Sequence, residues 1–456
     1  MPEKPDPFRL LEAKQKAQKE KKVPSSAKGT DASGPQPAVP ACGSPPRAPE
    51  KLPDTGLSES FLCDLTLKHI YFGGALEGIE VAERMCLDFT IVSEAIEILK
   101  KQELIMTQGG SGAFLGAKIS YVLTERGRTK ISEVLARDNY RGPAPVPFDQ
   151  YIQQMKLQEI RGHKVSPDAV KKAFSHLILD PSIVDRIGPA INSGRSIFLY
   201  GPPGNGKTSL AECIIDTMGD SVFIPHSLLI ESEIVRVFDE TYHKRMEPAN
   251  FEYDRRWVYS RRPAVIVGGE LSLDMLDLTI SAQTTYYEAP FQVKANGGVL
   301  VIDDFGRQRC NPQELFNRWI VPLESHVDFL TFSSGQKAEF PFDCLLVFST
   351  NLDPKDLVDE AFLRRIRYKI EVGDPTEEEF RQIFKLICEK NQVPYDEAAI
   401  DYLIQHHYVP QKRPFRACHP RDLIEQMVDI CTYTGTMPQL TPNIIDRLCG
   451  LYFVEL

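Results

Sequence analysis

Hydrophobic positions in the first third of the chain follow a helical period. Phe61, Leu62, Leu65, Leu67 and Ile70 recur at helical spacing and end at a Gly-Gly break. Similar patterns predict helices over residues 79–87, 90–101 and 125–136, and a strand over 117–123. The pattern therefore indicates a small α+β domain in this part of the chain.

Beyond the prolines at 143, 145 and 147, strands alternate with helices. Residues 196–200, 299–302 and 344–348 are apolar runs typical of buried strands, with helical stretches between them. After Gly373 the pattern is helical to the end, and Thr376 is the expected N-cap of the first helix there. This order predicts an α/β core built on a parallel sheet, followed by a helical domain.

Four segments follow from these patterns. We expect a disordered tail over 1–54, the small α+β domain over 55–140, the α/β core over 141–372 and a helical lid over 373–456. Order should begin near Leu57, because Pro, Lys, Ser, Gly and Ala dominate the tail and bury little apolar surface.

Composition narrows the setting of the protein. No apolar stretch approaches the ~18 residues of a membrane helix, and the charged amino terminus lacks a secretory signal, so a cytoplasmic protein without membrane insertion is expected. The ten cysteines form no Cys-x-x-Cys pair and are expected to be reduced thiols. A formal net charge of -10 gives the whole chain no bulk attraction to nucleic acid, but it does not exclude a local basic patch.

A glycine-rich loop joins the first core strand to a helix. It reads Gly201-Pro202-Pro203-Gly204-Asn205-Gly206-Lys207-Thr208, and Ser209 continues into the helix. Glycines let backbone N–H groups surround phosphate oxygens, the lysine reaches the β- and γ-phosphates, and the threonine hydroxyl binds Mg²⁺. The loop therefore predicts a site for ATP and Mg²⁺.

A pair of acids follows the second buried strand. Asp303 and Asp304 end the run at 299–302, and carboxylates at a strand tip are costly to bury without a cation. We assign Asp303 to Mg²⁺ and Asp304 to the attacking water.

Taken in order, the phosphate loop, the acidic strand and Phe348-Ser349-Thr350-Asn351 resemble the AAA+ ATPases. That family has glutamate at the position of Asp304, so the shorter acid leaves the hydrolysis rate open. The resemblance implies that Asn351 is sensor 1; an Asn that caps the Asp353-Pro354 turn is the alternative. His419-Pro420-Arg421-Asp422 is similar to the sensor 2 motif, which implies that Arg421 contacts the γ-phosphate from the lid.

A basic segment follows the third strand. The arginine-finger segment of MoxR-type members is similar to Ala361-Phe362-Leu363-Arg364-Arg365-Ile366. The resemblance implies a ring, expected to be a hexamer, in which an arginine of one subunit completes the nucleotide site of its neighbour. Arg365 is the first candidate for this arginine and Arg364 the second. A surface cluster paired with nearby acids is the alternative.

Two inserts suggest contact with a partner. The segment 295–300 resembles helix-2-insert members, which use an inserted hairpin to push on a partner. Residues 273–293 could form that hairpin, but the loop lacks the activators' polymerase-contacting motif. The charged stretch 241–262 could line a pore or a nucleic-acid surface, or form a solvated face.

The small domain resembles a winged helix over residues 57–140. Exposed Glu94 and Glu97 on its recognition helix would repel DNA phosphates, whereas Lys118, Arg126, Arg128 and Lys130 near the wing weakly favour DNA. The leading hypothesis is a ring-forming ATPase that remodels or assembles a client protein. An ATP-controlled DNA-binding regulator and a slowly hydrolysing nucleotide switch are the alternatives.

Overall fold

The computed structural model describes residues 44–108, 118–162, 164–248, 251–280, 284–357 and 363–453. Within these ranges no helix is long and apolar enough to cross a membrane. The predicted disorder of residues 1–43, the glycine turn at 109–112 and the segment 358–362 lie outside the described residues.

The amino-terminal elements form a helical cluster around a three-stranded sheet. They are α1 (Glu59–Gly73), β1 (Leu76–Glu77), α2 (Gly78–Met85), α3 (Phe89–Lys101), β2 (Ile105–Thr107), β3 (Ser120–Leu123) and α4 (Glu125–Arg137). The sheet is antiparallel in the order β1-β3-β2. Gly127 has no room for a β-carbon, which would lie 2.0 Å from the Leu104 carbonyl oxygen, so α4 packs closely on the strand end. The winged-helix assignment stays a prediction.

The chain is ordered earlier than predicted. Within the expected tail, residues 44–54 lie against the body of the protein: the Asp254 amide donates to the Pro46 carbonyl at 2.9 Å, and a 3₁₀ turn, Leu52–Thr55, buries Thr55 completely. Arg256 fixes this turn by donating to the Thr55 carbonyl at 2.8 Å. The prediction was wrong here because it used composition alone, which does not report individual backbone hydrogen bonds.

Strands and helices alternate in the core. The strands are β4 (Val146–Pro147), β5 (Ile197–Tyr200), β6 (Ser221–Pro225), β7 (Ser227–Ile230), β8 (Glu233–Arg236), β9 (Trp257–Arg261), β10 (Ala264–Val267), β11 (Thr279–Ile280), β12 (Tyr287–Glu288), β13 (Val299–Ile302), β14 (Val327–Thr331), β15 (Lys337–Pro341), β16 (Leu345–Thr350) and β17 (Tyr368–Glu371). The helices are α5 (Phe148–Leu157), α6 (Pro167–Ala173), α7 (Pro181–Asn192), α8 (Lys207–Thr217), α9 (Phe291–Lys294), α10 (Pro312–Ser325) and α11 (Pro354–Leu357).

The central sheet is parallel throughout, in the order β10-β13-β16-β5-β17. Strands β13 and β16 are buried at every residue, as expected for parallel strands covered on both faces. The predicted α/β class and parallel sheet are therefore confirmed. Since parallel strands end at the same edge, the residues after β5, β13 and β16 meet there.

A second β region was not predicted. Five short strands form a sheet in the order β11-β12-β8-β7-β4, beside the antiparallel pairs β6-β9 and β14-β15. The segment 273–293, expected to form the inserted hairpin, does pair, β11 with β12, but β12 also pairs with β8. Tyr287 is only 2% exposed, so it packs inside the protein instead of extending toward a partner.

The charged stretch 241–262 is not a solvated face as a whole. Arg256 is 1% exposed and binds Asp254 at 2.8 Å, and Arg262 binds Asp220 at 2.6 Å. These two charges are structural, because a buried guanidinium needs a paired carboxylate. A charge run in sequence does not reveal such partners, one of which is 42 residues away.

The carboxyl-terminal elements are helical, as predicted. They are α12 (Glu377–Lys390), α13 (Glu397–Leu403), α14 (Cys418–Thr434) and α15 (Pro442–Tyr452), with a π-helical turn at Ile404–Tyr408. Thr376 caps α12 as expected, in a capping box with Glu379. Phe380, Phe384, Ile424 and Met427 form part of the separate core of this lid.

Candidate nucleotide site

The glycine-rich loop turns sharply between β5 and α8. Gly201, Gly204 and Gly206 have φ values of 139°, 82° and 80°, a region that disfavours residues with a β-carbon. At Gly201 a β-carbon would also lie 2.3 Å from the Val372 carbonyl oxygen. The glycines predicted to shape a phosphate loop therefore have the backbone that requires them.

Two side chains at the start of α8 face the acids after β13. Lys207 is 6% exposed, and its amine donates to the carbonyls of Gly201 at 2.9 Å and Pro202 at 2.8 Å. Burial lowers the pKa of the Lys207 amine, and the charges of Asp303 and Asp304 act in the opposite direction. The Thr208 hydroxyl donates to Asp303 Oδ2 at 2.8 Å.

The acidic turn is tied to the neighbouring strand. The Phe305 amide donates to the Ser349 carbonyl at 2.7 Å, and the Thr350 hydroxyl donates to the Phe305 carbonyl at 2.7 Å. Asp304, between the metal candidate and this anchor, is exposed and has a left-handed φ of 48°. The anchor holds the two acids and Asn351 in fixed relation at the edge of the sheet.

The lid closes on the phosphate loop through backbone and amide groups. The Cys418 amide donates to the Gly204 carbonyl at 2.8 Å, and the Ala417 amide donates to Asn205 Oδ1 at 3.2 Å. The Asn205 side-chain amide donates in turn to the Gly373 carbonyl at 3.0 Å and to Asp374 Oδ1 at 2.7 Å. Asn205 thus joins the loop, the segment before α12 and the start of α14.

These groups surround one cavity of about 660 Å³, the nucleotide cavity. The residues that line it include Pro203, Gly204, Asn205, Gly206, Lys207, Thr208, Ser209, Glu212, Asp303, Asp304, Ser349, Asn351, Lys390 and Arg421. Arg421 is exposed and lies 3.0 Å from Asp422. The geometry therefore gathers the predicted loop, the acids and both sensor candidates.

The apolar walls of the nucleotide cavity were missed from the sequence. Residues 176–179 form one wall, and Ile383, Leu386 and Ile387 of the lid form the other. The sequence does carry an apolar run, Leu177-Ile178-Leu179, directly before the Asp180 N-cap of α7. Only the fold places that run beside the phosphate loop.

The oxygen donors suit Mg²⁺. Protein Mg²⁺ sites use one or two side-chain oxygens together with water and substrate phosphates, and Thr208 and Asp303 provide a hydroxyl and a carboxylate within 2.8 Å of each other. Among the described residues there is no group of three His, Cys, Asp or Glu side chains able to hold a metal alone. The residues therefore fit a metal that binds together with a nucleotide.

The arginine-finger candidates lie away from the nucleotide cavity. Arg365 Nε is 2.6 Å from Glu324 Oε1 on α10 and lines a small cavity with Arg161 and Arg195. Arg364 is exposed. Neither lines the nucleotide cavity of its own chain, so a role in hydrolysis needs a second subunit and stays a prediction.

Comparisons with known families assign two segments. A family described as "ATPase family associated with various cellular activities (AAA)" matches residues 197–374, and a "Domain of unknown function (DUF8689)" matches residues 376–450. The chain therefore contains an AAA ATPase domain, and the matched segment holds the phosphate loop, Asp303 and Asn351.

Curated relatives match a similar region. An "AAA ATPase forming ring-shaped complexes" from Corynebacterium jeikeium (strain K411) is 36% identical over 106 residues, 23% of this chain and 19% of the relative. The 26S proteasome subunit RPT4 of Saccharomyces cerevisiae is 37% identical over 75 residues, 15% of this chain and 17% of that protein. The chain thus spans less than a fifth of the length of these relatives.

Solved structures are more distant. The RuvB Holliday junction branch migration motor of Thermotoga maritima is 15% identical, with 68% of this chain and 73% of that chain covered and a TM-score of 0.35. Domain III of the T. maritima replication initiation protein DnaA is 14% identical, with 63% and 97% covered and a TM-score of 0.35. At scores this low, the likenesses carry no argument about function.

Proposed function

We propose that this protein binds MgATP in the nucleotide cavity and couples its hydrolysis to remodelling or assembly of a partner protein. One observation supports this proposal: residues from a phosphate loop, two strand ends and a lid line the same cavity. These residues are Lys207, Thr208, Asp303, Asn351 and Arg421. Phosphoryl transfer needs positioning and charge stabilisation above all, and these groups supply both.

Each group has a distinct task in the proposal. The loop amides and the Lys207 ammonium bind the β- and γ-phosphates, while Thr208 and Asp303 hold Mg²⁺. When bound, Mg²⁺ neutralises charge on the phosphate oxygens. Asp304 orients the attacking water, with Asn351 beside it, and Arg421 contacts the γ-phosphate from the lid. The apolar walls at 176–179 and on α12 receive the purine base.

A neighbouring subunit completes the site. Because Arg365 and Arg364 do not line the cavity of their own chain, we place one of them at the γ-phosphate of the next subunit in a ring, a hexamer by family resemblance. The name of the Corynebacterium relative, which mentions ring-shaped complexes, supports the ring. The ion pair between Arg365 and Glu324 would have to open for this contact.

A protein partner is favoured over DNA. Glu94 and Glu97 are exposed on α3, the helix that would enter a DNA groove. Three of the four cations near the wing are paired with acids: Arg126 with Glu103, Arg128 with Glu125 and Lys130 with Glu133. Lys118 is exposed and forms no ion pair with a described residue. Such a surface offers little free positive charge for phosphates.

A slow nucleotide switch is the second candidate. Asp304 favours it, because aspartate is one methylene shorter than the glutamate of the family and reaches less far toward a water at the γ-phosphate. In that case ATP would stabilise an assembly that persists before hydrolysis.

Substitution of Asp304 tests the proposal. Asp304→Asn should bind MgATP within about twofold of wild type and lose turnover by about 100-fold or more, since the amide cannot accept a proton. Asp274→Asn, an exposed acid outside the nucleotide cavity, is the matched control and should keep its turnover. Unchanged turnover in Asp304→Asn would remove Asp304 from the mechanism, and tight binding with barely measurable wild-type turnover would favour the switch.

A further inference from the structure

A second large cavity lies between the amino-terminal elements and the second β region. Its volume is about 800 Å³, and we call it the junction cavity. The segment Asn139 to Pro143 forms one side, the segment Arg236 to Glu240 the other, and His226, Arg245 and Tyr286 complete much of the lining. None of these residues belongs to the nucleotide cavity.

Four arginines that form no ion pair with a described residue lie at or beside the junction cavity. Arg141 and Arg245 line it and are exposed, and neither forms an ion pair with a described residue. Arg84 and Arg255 are also exposed and lack an ion pair within the described ranges. Three of the four cations of the wing region, by contrast, have acidic partners. In a chain of net charge -10, this is a local basic site.

Hydrogen bonds place the outer two arginines close to the cavity. Met85, next to Arg84, accepts from the Ala144 amide at 2.8 Å, beside the lining residue Pro143, and the Arg255 guanidinium donates to the nearby Leu87 carbonyl at 3.2 Å. Burial, together with the charges of Arg84 and Arg141, lowers the pKa of His69 to about 4. Burial raises the pKa of the Cys86 thiol, against the opposing charges of Arg255 and Arg245. Each outer arginine therefore acts on the same buried group as one of the two arginines that line the cavity.

Aromatic rings support the two lining arginines. The Arg141 guanidinium carbon lies 4.5 Å from the centre of the Phe72 ring, and that of Arg245 lies 5.5 Å from the Phe238 ring. A guanidinium over a ring keeps its N–H groups available in its own plane, where they can bind a carboxylate in bidentate fashion.

The acids of the cavity leave this charge largely intact. Glu288 lies 2.8 Å from Arg236, and Lys294 lies 2.8 Å from Asp239, so both pairs are internally neutral. Glu240 is the remaining acid in the described lining, and it is exposed at the rim. Arg141 and Arg245 therefore face a ligand with a net excess of positive charge.

Apolar surface lies beside the arginines. Tyr71 and Phe72 are 44% and 45% exposed and stack edge to face at 5.1 Å, which leaves two rings open to a partner. A ligand with carboxylates and a neighbouring aromatic or aliphatic side chain matches both features. A DNA duplex matches less well, since it requires a continuous basic track and would meet Glu240 and the net negative charge of the chain.

We propose that the junction cavity docks an acidic peptide segment of a partner protein, with Arg141 and Arg245 binding its carboxylates and Phe72 contacting an adjacent apolar side chain. This site goes beyond the ATPase cycle and rests only on the proposed action upon a partner protein.

The test uses the full chain and a fluorescein-labelled peptide of alternating glutamate and phenylalanine, followed by fluorescence anisotropy at low and physiological salt. Wild type should bind it, and Arg141→Ala and Arg245→Ala should each weaken binding about 10-fold, because each removes a charge-assisted contact. Arg128→Ala, an exposed and paired arginine outside the cavity, is the control and should bind like wild type. The same peptide with glutamine in place of glutamate should bind at least about 10-fold more weakly.

Lys207→Ala separates this site from the nucleotide site. It should bind the peptide like wild type. A variant that fails to bind ATP but binds the peptide would support peptide docking at the junction cavity independently of the nucleotide site. Three results would overturn the proposal. Wild type could fail to bind the peptide, or the variant with both arginines replaced could bind it as tightly as wild type. In the third case, wild type would bind a DNA duplex more tightly than the peptide, and the same two substitutions would weaken that DNA binding.

Discussion

At the scale of single residues, one contact forms the proposed metal site. The Thr208 hydroxyl and the Asp303 carboxylate come from different elements, a helix start and a strand end, and meet at 2.8 Å. Their separation along the chain is 95 residues, so the contact exists only because β5 and β13 lie in one parallel sheet.

Asp303→Asn should reduce metal-dependent hydrolysis far more than metal-free nucleotide binding. An amide keeps the size of the side chain but loses the negative charge that holds Mg²⁺, and a fall in turnover of about 100-fold is expected. Turnover assays and calorimetry with and without Mg²⁺ measure the difference. Equal losses under both conditions would count against metal binding by Asp303.

Prediction from the sequence is strongest where the chemistry and the spacing of the residues are local. The residues from Gly201 to Thr208 form one contiguous motif, and the structure places most of them around one cavity. It failed for contacts that depend on distant partners: Arg262, predicted within a charge run, is buried against Asp220. The sequence alone does not show whether a charged side chain is solvated or is paired with a carboxylate that is distant along the chain.

At the scale of elements, α14 of the lid is joined to the phosphate loop through Asn205. This side chain is 4% exposed, receives the Ala417 amide and donates to Gly373 and Asp374. Arg416 adds an ion pair to the same aspartate at 3.1 Å. Any movement of the lid away from the loop must break these bonds, so we expect Asn205 to slow nucleotide release.

Asn205→Ala should release nucleotide about 10-fold faster, because it removes three partly buried hydrogen bonds from the loop to residues 373–374 and to the start of α14, while leaving Lys207 in place. Stopped-flow fluorescence with a labelled ADP measures the release rate. Asn317→Ala, an exposed asparagine on α10, serves as the control. Release at the wild-type rate would mean that the lid is held by other contacts.

Element prediction worked for long periodic helices and fully buried strands and failed for short ones. Strand β13 was predicted at its observed bounds because its four apolar residues stand between glycines and acids. Strands β4, β11 and β12 have two residues each and are stabilised by pairing within the second sheet. Two residues carry no periodicity, so the second β region could not be predicted.

At the scale of the whole molecule, buried histidines should make stability depend on pH. His243 is 2% exposed; its Nδ1 accepts from the Asp239 amide at 2.9 Å and its Nε2 donates to the Lys294 carbonyl at 2.8 Å. Burial lowers its pKa to about 4. Because the unfolded chain takes up this proton first, near its ordinary pKa of 6.5, stability should fall as pH drops from about 6.5 toward 4, by up to about 3 kcal/mol for this group.

Chemical denaturation across this pH range measures the effect. His243→Asn can still accept from the Asp239 amide but does not titrate, so its stability should depend less on pH than that of wild type. The same pH dependence in both proteins would contradict the assignment to His243.

The ring should be visible in mixed assemblies. Arg365→Ala should keep ATP binding and lose turnover, and mixing it with Lys207→Ala subunits should restore some activity, because some interfaces then pair an intact loop with an intact arginine. Arg364→Ala is the milder control. A monomer that hydrolyses MgATP at full rate, seen by mass measurement, would rule out both the finger and the ring.

The most direct test of the whole account is MgATP binding and turnover by wild type compared with Lys207→Ala. Lys207 is the lysine of the phosphate loop. Its amine donates to the carbonyls of Gly201 and Pro202 and interacts with the charges of Asp303 and Asp304. We predict that wild type binds and hydrolyses MgATP, and that Lys207→Ala loses tight binding in calorimetry together with turnover. Equal nucleotide affinity in the two proteins, or no hydrolysis by wild type, would contradict the account.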